Sequence, residues 1–144
     1  MNSIKHWYEH ADSHDSYEDR FIALWISFNG YCTMLSSGSQ ESRMMEWVKR
    51  NHGFKNAYHE MLDASPEFRR CLEELKSLCP VIDMRPGLGY KSKTITDIRN
   101  FDQTLDVIYK IRCNLFHGSK DLTSERDKRL AMLGYDVLRR IYHP

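Results

Sequence analysis

From Ser16 onward apolar residues recur at helical spacing, and no segment alternates with period two. Phe21, Leu24, Trp25, Phe28, Cys32 and Leu35 follow the i, i+3, i+4, i+7 rule of a buried stripe, and Ser36-Ser37-Gly38-Ser39 ends the run. The spacing predicts a long core helix. Ile22 and Ile26 widen its apolar surface to a second side, more than one core stripe needs, which leaves room for a helix from another subunit. Glu41 to Arg50 predicts a shorter helix with Met44, Met45, Trp47 and Val48 as its apolar residues, broken by His52-Gly53. A further short helix follows over Phe54 to Leu62.

Ser65-Pro66-Glu67 is a cap with proline at the first helical position. It opens a helix to about Leu78 that buries Phe68, Leu72, Leu75 and Leu78, and Pro80 stops it. Val81 to Thr96 is irregular, since two glycines and a proline between Met84 and Lys93 forbid a regular helix. A penultimate helix opens at Thr96-Asp97 or at Asn100 to Asp102 and keeps Phe101, Leu105, Ile108, Ile111 and Leu115 on one side. The last begins near Ser124 and buries Leu130, Leu133, Val137, Leu138 and Ile141. Together these predict an all-α, single-domain helical bundle of about five to six helices over residues 16–144, preceded by a polar segment at 1–15. In that segment His6, His10 and His14 recur every four residues and would share a helix face able to bind a transition metal. A short polar N-terminus is expected to fray, so no metal is assigned there.

Composition narrows the class. The 144 residues, 41% hydrophobic, suffice for one domain with a real core. Nothing approaches the ~18 unbroken apolar residues of a membrane span, and the N-terminus has no apolar signal core, so no membrane partner and no export are expected. Cys32, Cys71, Cys79 and Cys113 have no zinc-site spacing and read as reduced thiols of a cytoplasmic protein. The net charge of +1 does not by itself call for nucleic acid. Its distribution says more: residues 1–65 hold 6 Lys/Arg against 9 Asp/Glu, and residues 66–144 hold 15 against 11.

The basic half carries the candidate chemistry. Tyr109 to Lys120 reads Tyr-Lys-Ile-Arg-Cys-Asn-Leu-Phe-His-Gly-Ser-Lys, with a permanent cation, Arg112, five residues before a titratable imidazole, His117. Five residues advance a helix about 7.5 Å and turn it roughly 140° past a full turn, so the pair converges only beyond the helix end. Gly118 suits the left-handed position that would stop the helix there. Arg112 sits beside the apolar stripe and needs either an acid from the fold or a ligand, for which a phosphate is the natural guest. Arg112-x4-His117, with Asn114 between and Gly118 after, resembles the Arg-x(4-6)-His signature of the HEPN superfamily, helical domains many of which are metal-independent endoribonucleases. The string Ile111 to Gly118 is similar to the Apea-type branch of bacterial defence and toxin systems. The aromatic helix from Phe21 to Tyr31 resembles the family's first core helix.

The resemblance implies a homodimer in which two copies of the motif form a composite site, cleaving RNA to a 2′,3′-cyclic phosphate and a 5′-hydroxyl without a cofactor or metal. His117 is the acid or base and Arg112 the phosphate grip, while Asn114 either positions a phosphate or holds the imidazole. The pattern departs at Cys113, where many active members carry Asn, Asp or His. A non-catalytic RNA- or protein-binding module is therefore the alternative. Arg85, Lys91 and Lys93 around Tyr90 make a loop of cations and a ring suited to single-stranded RNA, and Lys110 and Lys120 flank the motif as further phosphate contacts. Asn29, on the side of Trp25 and Cys32, either ties core backbone or supports Arg112. The expected substrate is tRNA or messenger RNA, and a toxin or anti-phage effector of this kind would act with a separate antitoxin or sensor subunit.

Overall fold

The computed structural model describes residues 2–37, 40–82, 91–116 and 124–144. Among them are seven α-helices: α1 (Asn2–His10), α2 (Tyr17–Ser36), α3 (Glu41–Arg50), α4 (His52–Ala64), α5 (Pro66–Ser77), α6 (Phe101–Phe116) and α7 (Glu125–Ile141). Between α5 and α6 lie two-residue strands, β1 (Val81–Ile82) and β2 (Ser92–Lys93), paired antiparallel with Val81 opposite Lys93. The protein is an all-α single-domain bundle.

Local signals decide the helix starts. Ser16, Asn51, Ser65 and Ser124 each accept a bond from the backbone N–H three residues on, satisfying a donor that the first helical turn leaves free. Asn100 does the same for Gln103, so the motif helix opens at the later of its two candidate starts. Asn51 also moves a boundary. The break between α3 and α4 falls on this single capping residue, and His52-Gly53, expected to be the break, forms the first turn of α4.

Helix α2 is the axis of the core. Phe21, Leu24, Trp25, Phe28 and Cys32 are buried on it, and Phe28 touches the Trp25 and Tyr142 rings at centroid distances of 5.3 Å. Its stripe meets α3 through Met44, Met45 and Val48, α6 through the Trp25–Tyr109 contact, and α7 where Gly134 approaches Phe21. Only glycine fits there, because an added Cβ would stand 2.9 Å from Phe21 Cε2.

The N-terminal segment differs from the frayed tail expected of it. Ile4, Tyr8 and Ala11 lie at helical spacing and pack on the bundle, with Ile4 and Ala11 buried. The Ser27 hydroxyl of α2 donates to the Ile4 carbonyl at 2.7 Å, and the Arg139 guanidinium of α7 lies 3.9 Å from the Tyr8 ring centroid. Helix α1 is thus a structural seventh helix. The His6 and His10 ring centroids lie 4.4 Å apart with the planes tilted by 31°, whereas His14 lies beyond both α1 and the 3-10 turn Ala11–Ser13. Helix α1 covers part of the surplus surface of α2, while Ile22 and Ile26 stay half-buried.

Candidate functional site

Helix α6 carries the motif arginine just before its last turn. Arg112 does not face open solvent: its Nη2 pairs with Glu41 Oε2 at 3.2 Å, and about a fifth of each side chain is exposed. Glu41 is the first residue of α3, where the partial positive charge of a helix N-terminus favours a carboxylate. The same Oε2 accepts from the indole N–H of Trp25, also at 3.2 Å. One carboxylate therefore ties α2, α3 and α6 together and aims the guanidinium. Below it lies Phe116, whose ring centroid is 4.5 Å from Arg112 Cζ, a cation over an aromatic face. Phe116 is itself 39% exposed, so this stack sits at the surface. Arg112 Nε is buried without an acceptor among the described residues.

Tyr109, one turn before Arg112, completes the wall. Burial first, then the neighbouring Cys113 and Glu41, push its phenol well above the usual range, so it stays a neutral donor. The wall is a fixed cation on aromatic support, held by one acid.

The other motif residues divide. Asn114 is fully buried, and its Nδ2 donates to the Ile82 carbonyl at 2.9 Å, fastening β1 to α6. Cys113 is buried beside it. Lys110 is only 8% exposed, which leaves little of it to a ligand. Asn29 accepts a long 3.5 Å bond from Thr33 on the next turn of α2 and makes no bond to Arg112. His117, Gly118, Lys120, Arg85 and Tyr90 lie outside the described residues.

Of the basic loop, Lys91 and Lys93 are described, and both are exposed. Lys93 reaches Asp106 of α6 at 3.9 Å, and the other oxygen of Asp106 holds Lys49 of α3 at 2.7 Å. Burial alone would lower the Lys49 ammonium, but the hydrogen bond and charge of Asp106, helped by Glu46, outweigh it and hold it above its usual value. The β1–β2 ribbon is thereby pinned along α6 at Asp106 and again at Asn114.

Periodicity placed Trp25 in the core but gave it no part in the site, and it did not single out Glu41 or Phe116. A signal existed for Trp25 and Glu41. A core indole N–H needs an acceptor and an arginine beside the core needs an acid, but nothing in the sequence says that one residue at the start of α3 serves both. The chain matches no family model, no curated protein and no solved structure.

Proposed function

We propose that the protein is a metal-independent endoribonuclease of HEPN type. The observation that carries this reading is Arg112, a cation fixed by Glu41 and supported by Phe116, the residue that immediately precedes His117 in the chain. A guanidinium has five N–H donors, and Glu41 engages one nitrogen, so donors remain for a phosphate. In the reaction His117 takes the proton of a ribose 2′-hydroxyl, and the oxygen attacks its own phosphodiester. Arg112 neutralises the charge growing on phosphorus. The 5′-oxygen leaves with a proton from a second imidazole, giving a 2′,3′-cyclic phosphate and a 5′-hydroxyl. That second imidazole comes from a two-fold copy. The apolar surface left by half-buried Ile22 and Ile26 on α2 supports such a partner.

Asn114 favours a second reading. Its side chain is fully buried and its amide ties α6 to the Ile82 carbonyl, a structural role that a non-catalytic RNA- or protein-binding module would equally need. His117→Ala separates the two. A nuclease loses cleavage and keeps RNA binding within about threefold, whereas a wild-type protein that binds RNA and never cuts it supports the module. As an effector acting on tRNA or messenger RNA, the enzyme would need an antitoxin or sensor subunit. No described helix is long and apolar enough to cross a membrane.

A further inference from the structure

The outer face of α3 carries a pattern that the motif does not use. Arg43, Trp47 and Arg50 stand at i, i+4 and i+7, on the side of the helix opposite the buried Met44, Met45 and Val48. With Ser42 and Glu46 they line a shallow surface depression of about 400 Å³. Trp47 is half-buried. The Phe54 ring of α4 meets it edge-on at 6.5 Å and 78°, bracing one edge of the indole while part of the ring stays at the surface. Both arginines are exposed and neither has an acid partner among the described residues. Glu46, the carboxylate of the patch, is turned to Lys49 at 3.5 Å. Arg50 also lies in the last turn of α3, where it complements the helix dipole, but Arg43 is in the first turn, where a cation is disfavoured. A cation at the unfavourable end, another seven residues on, and an indole between them together fit a ligand with negative charge on both sides of a flat ring.

We infer that this face is a stacking platform for single-stranded RNA: one base lies on Trp47, and Arg43 and Arg50, about 10.5 Å apart along the helix, grip the flanking phosphates. The inference rests on the RNA reading of the motif and deepens it. Helix α3 begins with Glu41, the residue that holds Arg112, so one rigid element would couple strand capture on its outer face to the cation on its inner face. A duplex, whose bases are stacked on one another, offers no free ring to the indole.

The test uses His117→Ala protein, so that RNA is not consumed, and a 12-nucleotide oligouridylate followed by indole fluorescence and anisotropy across a salt series. Binding is expected. Trp47→Ala weakens it about tenfold or more, and Trp47→Phe restores most of it, since a phenyl face still stacks. Arg43→Ala with Arg50→Ala lowers the slope of log affinity against log salt by about 1.4, at roughly 0.7 per phosphate contact on a single strand. Unchanged affinity in Trp47→Ala with an unchanged salt slope in the arginine pair overturns the platform, as does a duplex that binds equally well. Circular dichroism of each variant shows that the fold persists, and Trp47→Phe carries the test if the alanine variant melts. The two claims fail separately: oligouridylate held on Trp47 by a protein that never cleaves retains the platform and removes the nuclease. Cleavage by a protein whose Trp47 variants bind normally does the reverse.

Discussion

Glu41 decides whether Arg112 is a tool or a loose surface charge. Its carboxylate accepts from the guanidinium and from the Trp25 indole, and its removal leaves two donors unmet in a half-buried pocket. Glu41→Ala should cost about 1–3 kcal/mol of stability, read as a drop in the urea midpoint. RNA cleavage should fall further than that loss explains, because Arg112 is no longer aimed. Asn114 behaves differently. Asn114→Ala strips the Ile82 carbonyl of its donor and should likewise cost about 1–3 kcal/mol, releasing β1 from α6. If it instead abolishes cleavage with an unchanged midpoint, Asn114 acts in the chemistry and not in the ribbon. Sequence alone could state that Arg112 needs an acid. It could not name Glu41, which lies far away in the chain and meets it only after three helices pack.

At the scale of elements, spacing and caps made most of the bundle legible. The stripe of α2 as far as Cys32, the Ser65-Pro66 start of α5 and the periodicity of α6 and α7 each appear in the structure, because caps and helical spacing are local properties; Leu35, expected on that stripe, is exposed near the end of α2. Helix α1 is less legible: its composition is polar, and the helical spacing of Ile4, Tyr8 and Ala11 is its one local signal. What seats α1 is non-local, namely Ser27, Tyr142 and Arg139. The site was only partly legible for the same reason, since its pattern named Arg112 while its supports come from α2 and α3. The α2–α7 crossing can be tested directly. Gly134→Ala sets a Cβ 2.9 Å from the fully buried Phe21 ring, and the overpacking should destabilise by about 1–3 kcal/mol in a thermal melt. An unchanged melting temperature would mean that the Phe21 ring yields to the added Cβ without strain.

The whole molecule should be sensitive to alkali. Burial pushes the Tyr58 phenol up to about 12, despite its hydrogen bond with Thr104, from an ordinary 10.0. Burial also raises Tyr135 and Tyr142. Such phenols stay neutral in the fold while the unfolded chain already ionises, so stability is full below pH ~10 and is lost as pH rises from there toward ~12. The melting temperature should fall across that window, and absorbance at alkaline pH should show these tyrosines titrating late and together with unfolding. A melting temperature flat to pH 11.5 would contradict their burial. Charge adds to the picture at this scale: a net +1 gives little long-range attraction for RNA, so the proposed binding would rest on placed cations such as Arg112, Arg43 and Arg50.

The most direct measurement of the central claim is cleavage of total tRNA and a long single-stranded RNA, in EDTA, by wild-type protein beside Arg112→Ala and His117→Ala. Wild type alone should cut, leaving 2′,3′-cyclic phosphate ends, with either variant slower by at least about a hundredfold. Equal inertness of all three folded proteins, or cleavage that survives the loss of His117, would contradict it.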